Sequence, residues 1–162
     1  MMQEPGDIRY FLNATQRFNV RAAVLLENAG RLLVTPEADQ PGMFKLPGGA
    51  VKFGESAIAA AVREVQEELQ LTELDFEPAG TVEAFFTLAG VDYHQIILIS
   101  RALLTDKQAT HVVNLHLDEV DLAPDTKLVW QPLTSVQGHL LPNALDALLP
   151  MGAPYQHAVS YR

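Results

Sequence analysis

Glu64, Glu67 and Glu68 fall at i, i+3 and i+4 in the stretch REVQEEL, with Arg63 at its head and Glu55 upstream. Side chains so spaced are neighbours on a helix, and like charges placed there destabilise it by roughly a few tenths of a kcal/mol per pair. Their position late in the helix adds to the penalty, because the C-terminal end of the helix dipole favours cations. Such a cluster needs a positive partner. A divalent cation of the Mg²⁺ type supplies one, since it takes oxygen ligands in an octahedral shell and is commonly held by carboxylates together with substrate phosphates. Arg63 and Glu55 then stand where they can orient those ligands. The competing reading is a solvated acidic face of the kind many helices carry.

The elements that must position these residues are legible around them. Ser56 is a helix cap, because its hydroxyl can accept from first-turn amides, and the residues to about Leu69 are strong helix formers. At roughly 100° per residue, Ile58, Ala61, Val62, Val65 and Leu69 share an apolar face and the three glutamates share another. The paired glycine of PGG at 47–49 marks an irregular segment just before the helix. Residues 18–27 and 31–35 read as a hairpin about Asn28-Ala29-Gly30, followed by a polar, proline-bounded loop at 36–42. Residues 80–88, 93–104 and 128–130 read as strands, and 140–149 as a short amphipathic helix with Pro142 near its start. His111 and His116 read as strand or loop residues. The pattern predicts a single α/β (α+β) domain over 1–162, without internal repeats.

Composition narrows the function classes. The 162 residues carry 11 Lys+Arg against 20 Asp+Glu, a net charge of −9, which repels polyanions and argues against a long nucleic acid or an anionic membrane as partner. Cysteine is absent, which removes disulfides, thiolate nucleophiles and Cys-based zinc sites. The first twenty residues lack an uninterrupted apolar core, and no apolar run approaches the length of a bilayer span. A soluble, cytoplasmic protein is expected.

Written out, Gly49, Glu55, Arg63, Glu64, Val65, Glu67 and Glu68 resemble the signature of the Nudix hydrolases, Gly-x5-Glu-x7-Arg-Glu-U-x-Glu-Glu-x-Gly-U, where U is a bulky aliphatic residue. Gln70 stands where the family has its last glycine. FKLPGGAVKFGES before the helix, VEAFFTLAGVDYHQIIL after it and LVWQPLTSV near the end extend the likeness over most of 18–149. The resemblance implies a Nudix-like α/β/α sandwich with a mixed sheet. It also implies that Glu64, Glu67 and Glu68, with the backbone carbonyl of Gly49, hold Mg²⁺ or Mn²⁺, while Arg63 fixes a glutamate, Glu55, through a forked hydrogen bond. The general base is then Glu64, or an acid outside the signature, for which Glu83 and Glu119 are the candidates. His94 reads as a strand residue at the rim of the pocket, with Gln95 beside it where many relatives carry an acid. Phe44, Phe85, Phe86, Tyr93 and Trp130 read first as core aromatics.

The activity so implied is metal-dependent hydrolysis of a small nucleotide-type diphosphate, such as a nucleoside triphosphate. The alternatives are a nucleotide-sugar or ADP-ribose hydrolase and a nucleotide-binding sensor of the same fold without turnover. A prenyl-diphosphate isomerase, which uses a cysteine, and an RNA-end hydrolase, which needs basic surface, are disfavoured. The resemblance also admits a homodimer.

Overall fold

A computed structural model describes residues 6–150 and 152–161. Along the chain run β1 (Arg9–Asn13), β2 (Gln16–Asn28), β3 (Arg31–Pro36), β4 (Phe44–Lys45), β5 (Gly48–Ala50), α1 (Ala57–Leu69), β6 (Glu77–Leu88) and β7 (Val91–Leu103). They are followed by α2 (Asp106–Val113), β8 (Val129–Pro132), the single turn α3 (Leu133–Val136) and β9 (Gln156–Tyr161), with 3-10 turns at Leu117–Glu119 and Asn143–Leu148.

The described residues build one nine-stranded mixed sheet in the order β4-β3-β2-β7-β6-β9, with β1 and β5 also on β2 and β8 on β3. β2 runs parallel to β7 and β6 parallel to β9, while the remaining pairs are antiparallel. β2 reads as a near-continuous apolar run because it is covered on both faces. Its Ala23 and Leu25 join Leu32, Val82, Ile97, Leu140, Leu145 and Leu148 in one core. Its Val24 and Leu26 join Ala61, Val65 and Leu69 of α1 and Val112 of α2 in the other. Helices α1 and α2 thus lie on one face and α3 with the Asn143–Leu148 turn on the opposite face, which is the α/β/α sandwich expected.

Four elements differ from the reading of the sequence. The segment at 140–149 forms a 3-10 helix, in which Leu145 and Leu148 at i and i+3 eclipse and bury together. Helix α2 was unsuspected because only Ala109 and Val112 are buried along it; a reciprocal capping box between Thr105 and Gln108 starts it, and it takes in His111, read above as strand or loop. Strand β9 after the 140–149 segment and the fully exposed strand β1 were not read from the sequence.

Candidate functional site

Ser56 caps α1, its Oγ accepting from the Ala59 amide at 3.1 Å. The helix stops at Leu69 because Gln70 turns left-handed, at φ 51° and ψ 35°, the geometry for which glycine is usually chosen. Gln70 Nε2 donates to the Glu119 carbonyl at 3.3 Å, and the Asp121 amide donates to the Glu67 carbonyl at 3.0 Å. The acidic segment after α2 is therefore pinned to the last turn of α1.

The glutamates do not share an outer face. Glu64 is 8% exposed and Glu68 is half-buried, and both fall within the stripe that Ala60, Ala61 and Val65 define, whereas Val62, expected inside, is 47% exposed. Room for the inward carboxylates comes from β5. A Cβ on Gly49 would sit inside contact distance of the Glu64 carboxylate, and one on Gly48 would collide with the Ala22 carbonyl of β2. Gly48–Ala50 is thus a strand flush against β2 and α1, and the missing side chain of Gly49 is what admits Glu64.

Arg63 organises the acids. Its Nε and one terminal nitrogen fork onto Glu55 at 2.7 and 2.9 Å, that nitrogen also reaches the Ala50 carbonyl at 3.0 Å, and the other donates to Glu64 at 2.8 Å and Glu67 at 3.1 Å. Glu55 closes the loop by accepting from the Lys52 amide at 3.1 Å. This uses the guanidinium's planar fork, which a lysine lacks. The hydrogen bond from Arg63, ahead of other causes, holds the Glu55 carboxyl below the usual range, and Glu55 in turn raises the Arg63 pKa. Because Arg63 draws Glu64 and Glu67 to itself, no three acidic or imidazole side chains among the described residues converge as a ready-made metal cage.

Glu68 lies outside that fork, on a cleft of about 510 Å³. Burial first, and the Glu64 charge second, push its carboxyl up to about 8, while Arg21 pulls the other way. Arg21 of β2 lines the same cleft and is itself pushed down by burial, against the raising fields of Glu68 and Glu64. The sequence reading passed over Arg21; the available signal was one cation in the apolar run FNVRAAVLLE. Gln95, Phe86, Glu37 and Leu122 are among the other lining residues, brought from β7, β6, the β3–β4 loop and the segment after α2.

The two acids proposed from outside the signature are placed differently. Glu119 is exposed beside the end of α1, tied there through its backbone. Glu83 bonds to His157 of β9 at 2.8 Å and does not line the cleft with Glu68. His94 is exposed on β7. Phe44 and Trp130 are half-buried against the cores, the indole N–H donating to the Ala109 carbonyl at 3.3 Å, while Phe86 and Tyr93 stack with centroids 4.8 Å apart.

A family model, the NUDIX domain, matches residues 16–147. Over 69 residues the chain is 42% identical to Nudix hydrolase 5 of Arabidopsis thaliana, a match that takes in 40% of this chain and only 22% of that relative's length. The fold is similar to that of a mutator MutT protein from Bacillus halodurans, with TM-score 0.65 and 15% identity over 88% of this chain and 89% of that one. It is also similar to dihydroneopterin triphosphate pyrophosphohydrolase of E. coli, with TM-score 0.58 and 21% identity over 83% of this chain and 94% of that one. At these identities the structural likeness is one of fold.

Proposed function

The chain belongs to the Nudix hydrolase family, and from that premise we propose that it is a divalent-metal-dependent pyrophosphohydrolase that cleaves a nucleoside diphosphate linked to another group, with nucleoside triphosphates as the leading substrates. One observation carries this reading: carboxylates that outnumber their cationic partners are packed beside a substrate-sized cleft instead of being spread over an outer face. The hard oxygens of Glu64, Glu67 and Glu68 suit Mg²⁺ or Mn²⁺, and the Glu64 charge, which after burial raises Glu68, is one a bound cation would offset. These three side chains and the Gly49 carbonyl are the proposed ligands.

When bound, the metal lowers the pKa of a water and neutralises charge developing on the leaving phosphate. The residues do the rest. Glu55 holds Arg63, and Arg63 holds Glu64 and Glu67 beside Glu68, which lines the cleft. Arg21 faces the same cleft and is proposed to donate to a substrate phosphate. A base takes the proton of the attacking water as its oxygen bonds to phosphorus and the P–O–P bridge breaks. Glu64 and Glu119 are the candidates; Glu83, engaged with His157, has less support. We read residues 1–162 as one domain, because β1 and β9, which extend beyond 16–147, pair with strands of the same sheet. Among the described residues no helix is long and apolar enough to cross a membrane. A cytoplasmic location is proposed with this reading, as the place where small nucleotides are handled.

The test is a phosphate-release screen over nucleoside triphosphates, nucleotide sugars and dinucleoside polyphosphates with Mg²⁺ and Mn²⁺. The products should include a nucleoside monophosphate and its complementary phosphorylated fragment, with triphosphorylated RNA a poor substrate even at low salt. Tight nucleotide binding without hydrolysis under either metal would contradict the enzyme and identify a sensor.

A further inference from the structure

The floor of the cleft changes character along its length. β2 and β7 are parallel and in register, so Arg21 lies beside Ile97 and, two residues earlier, Asn19 lies beside Gln95. On its other side Gln95 faces Ala84 of β6. Residues two apart on a strand share a face, and at about 3.3 Å per residue the Gln95 row lies about 7 Å from the Arg21 row. The Arg21 row is charged, lying in the fields of Glu68 and Glu64. The Gln95 row is neutral. Lys45, the other cation that lines the cleft, is held by Glu37 at 3.3 Å. Phe86 and Leu88 of β6 add apolar surface to the same cleft. Of the neutral polar side chains that β6, β7 and β9 present there, Ser160 already donates its hydroxyl to Asn143 at 2.9 Å. Gln95 is half-buried, and among the described residues its carboxamide has no hydrogen-bond partner. Beside it, Asn19 Oδ1 is buried and also lacks a partner.

We propose that Gln95 is a specificity residue that reads the heterocyclic base of the substrate. This rests on the hydrolase reading above, in which the phosphates lie at Arg21 and Glu68. The group joined to those phosphates through one sugar then falls a row farther along, over Gln95. Charge selects what that group is: without a free cation in the row, a second phosphate there would go unpaired. A flat, neutral ring suits the apolar surface of Phe86 and Leu88. A carboxamide presents a donor and an acceptor side by side, the pattern that pairs bidentately with the edge of a base. Gln95 has a second N–H to give, and Asn19 Oδ1 is the acceptor that fixes it. Asn19 is thus a positioning residue, acting through Gln95. Because a carboxamide pairs with either order of donor and acceptor, the row favours a base over no base more strongly than one base over another.

Isothermal titration calorimetry with Mg²⁺ tests this on two probes whose bridge resists hydrolysis, methylenediphosphonate and the α,β-methylene analogues of the nucleoside diphosphates. The wild type should bind at least one nucleoside analogue about tenfold or more tightly than methylenediphosphonate. Gln95→Leu and Gln95→Thr should lose that preference, with unchanged circular dichroism and wild-type affinity for methylenediphosphonate. Asn19→Ala should weaken the nucleoside analogue alone, and Ser160→Ala should keep the wild-type preference. A wild type that binds both probes alike, or a folded Gln95 variant that retains the preference, would overturn the inference and leave the phosphate end of the hydrolase reading standing. A wild type that binds neither probe would overturn both.

Discussion

Among the described residues, two places bury a glutamate near an arginine, and they are built to opposite ends. Glu27 of β2 and Arg101 of β7 are 3% and 4% exposed, 3.7 Å apart, with Arg101 also donating to the Leu148 carbonyl. Burial raises the Glu27 pKa and Arg101 opposes that rise, one acid against one base within the core. At the other place Glu55, Glu64, Glu67 and Glu68 face Arg63 and Arg21 beside an open cleft, so negative charge is left over. The balanced pair cancels in charge, although Glu27 Oε1 and Arg101 Nε, 3.7 Å apart, lack hydrogen-bond partners, whereas the unbalanced cluster keeps a negative excess that a cation would offset. The difference separates an internal strut from a site.

The largest expected effect is at the strut. Arg101→Ala strands a buried charge and should cost about 3–5 kcal/mol in urea unfolding, with no recovery on adding Mg²⁺; a loss below about 1 kcal/mol would show that the pair is dispensable. In the cleft, Glu67→Gln should lower turnover about 100-fold, or ~2.7 kcal/mol, while the chemical-denaturation midpoint stays within experimental error, because Glu67 is the most exposed of the acids on Arg63. Near-normal turnover with Mg²⁺ would remove Glu67 from the proposed ligands.

The comparison sharpens with pH. Glu68 has its pKa raised from 4.5 to about 8, so the folded chain keeps a proton that the unfolded chain releases. Metal-free stability should fall as pH climbs from about 4.5 to about 8. Glu68→Gln should flatten that slope and be the more stable protein at pH 8, by ~2 kcal/mol after allowing for solvent screening. Glu55 has the opposite sign: its lowered pKa contributes stability above about 4.5 that is lost as pH falls through the folded value. Urea titrations with chelator at both ends of the range measure both. Smallest is Gln70→Gly, which relieves left-handed strain but gives up the bond to the Glu119 carbonyl and adds freedom to the unfolded chain. It should stabilise by less than about 1 kcal/mol and leave turnover unchanged; destabilisation would mean that the tie to Glu119 outweighs the backbone geometry.

What could be read in the sequence was local. Ser56, the helix-forming run and the position of Gln70 fix α1 through contacts a few residues apart, and the hairpin at Ala29-Gly30 and the strands on either side of Ala89-Gly90 follow from alternation and turn chemistry. The inward aim of Glu64 was not legible, because burying its carboxylate depends on Gly49 of another strand leaving space for it. Arg21 and Gln95 meet in the cleft only through the parallel pairing of β2 with β7, a long-range contact with no local signature. β9 escaped because its exposed residues alternate with half-buried ones at a sheet edge, and α2 because its apolar face is two residues wide.

The unbalanced cleft as a cation site is tested most directly by titrating Mn²⁺ into the protein and following free Mn²⁺ by electron paramagnetic resonance. Wild type and Glu27→Gln should bind alike, and Glu68→Gln should bind at least about tenfold more weakly, ~1.4 kcal/mol. Equal affinity in wild type and Glu68→Gln would contradict the account.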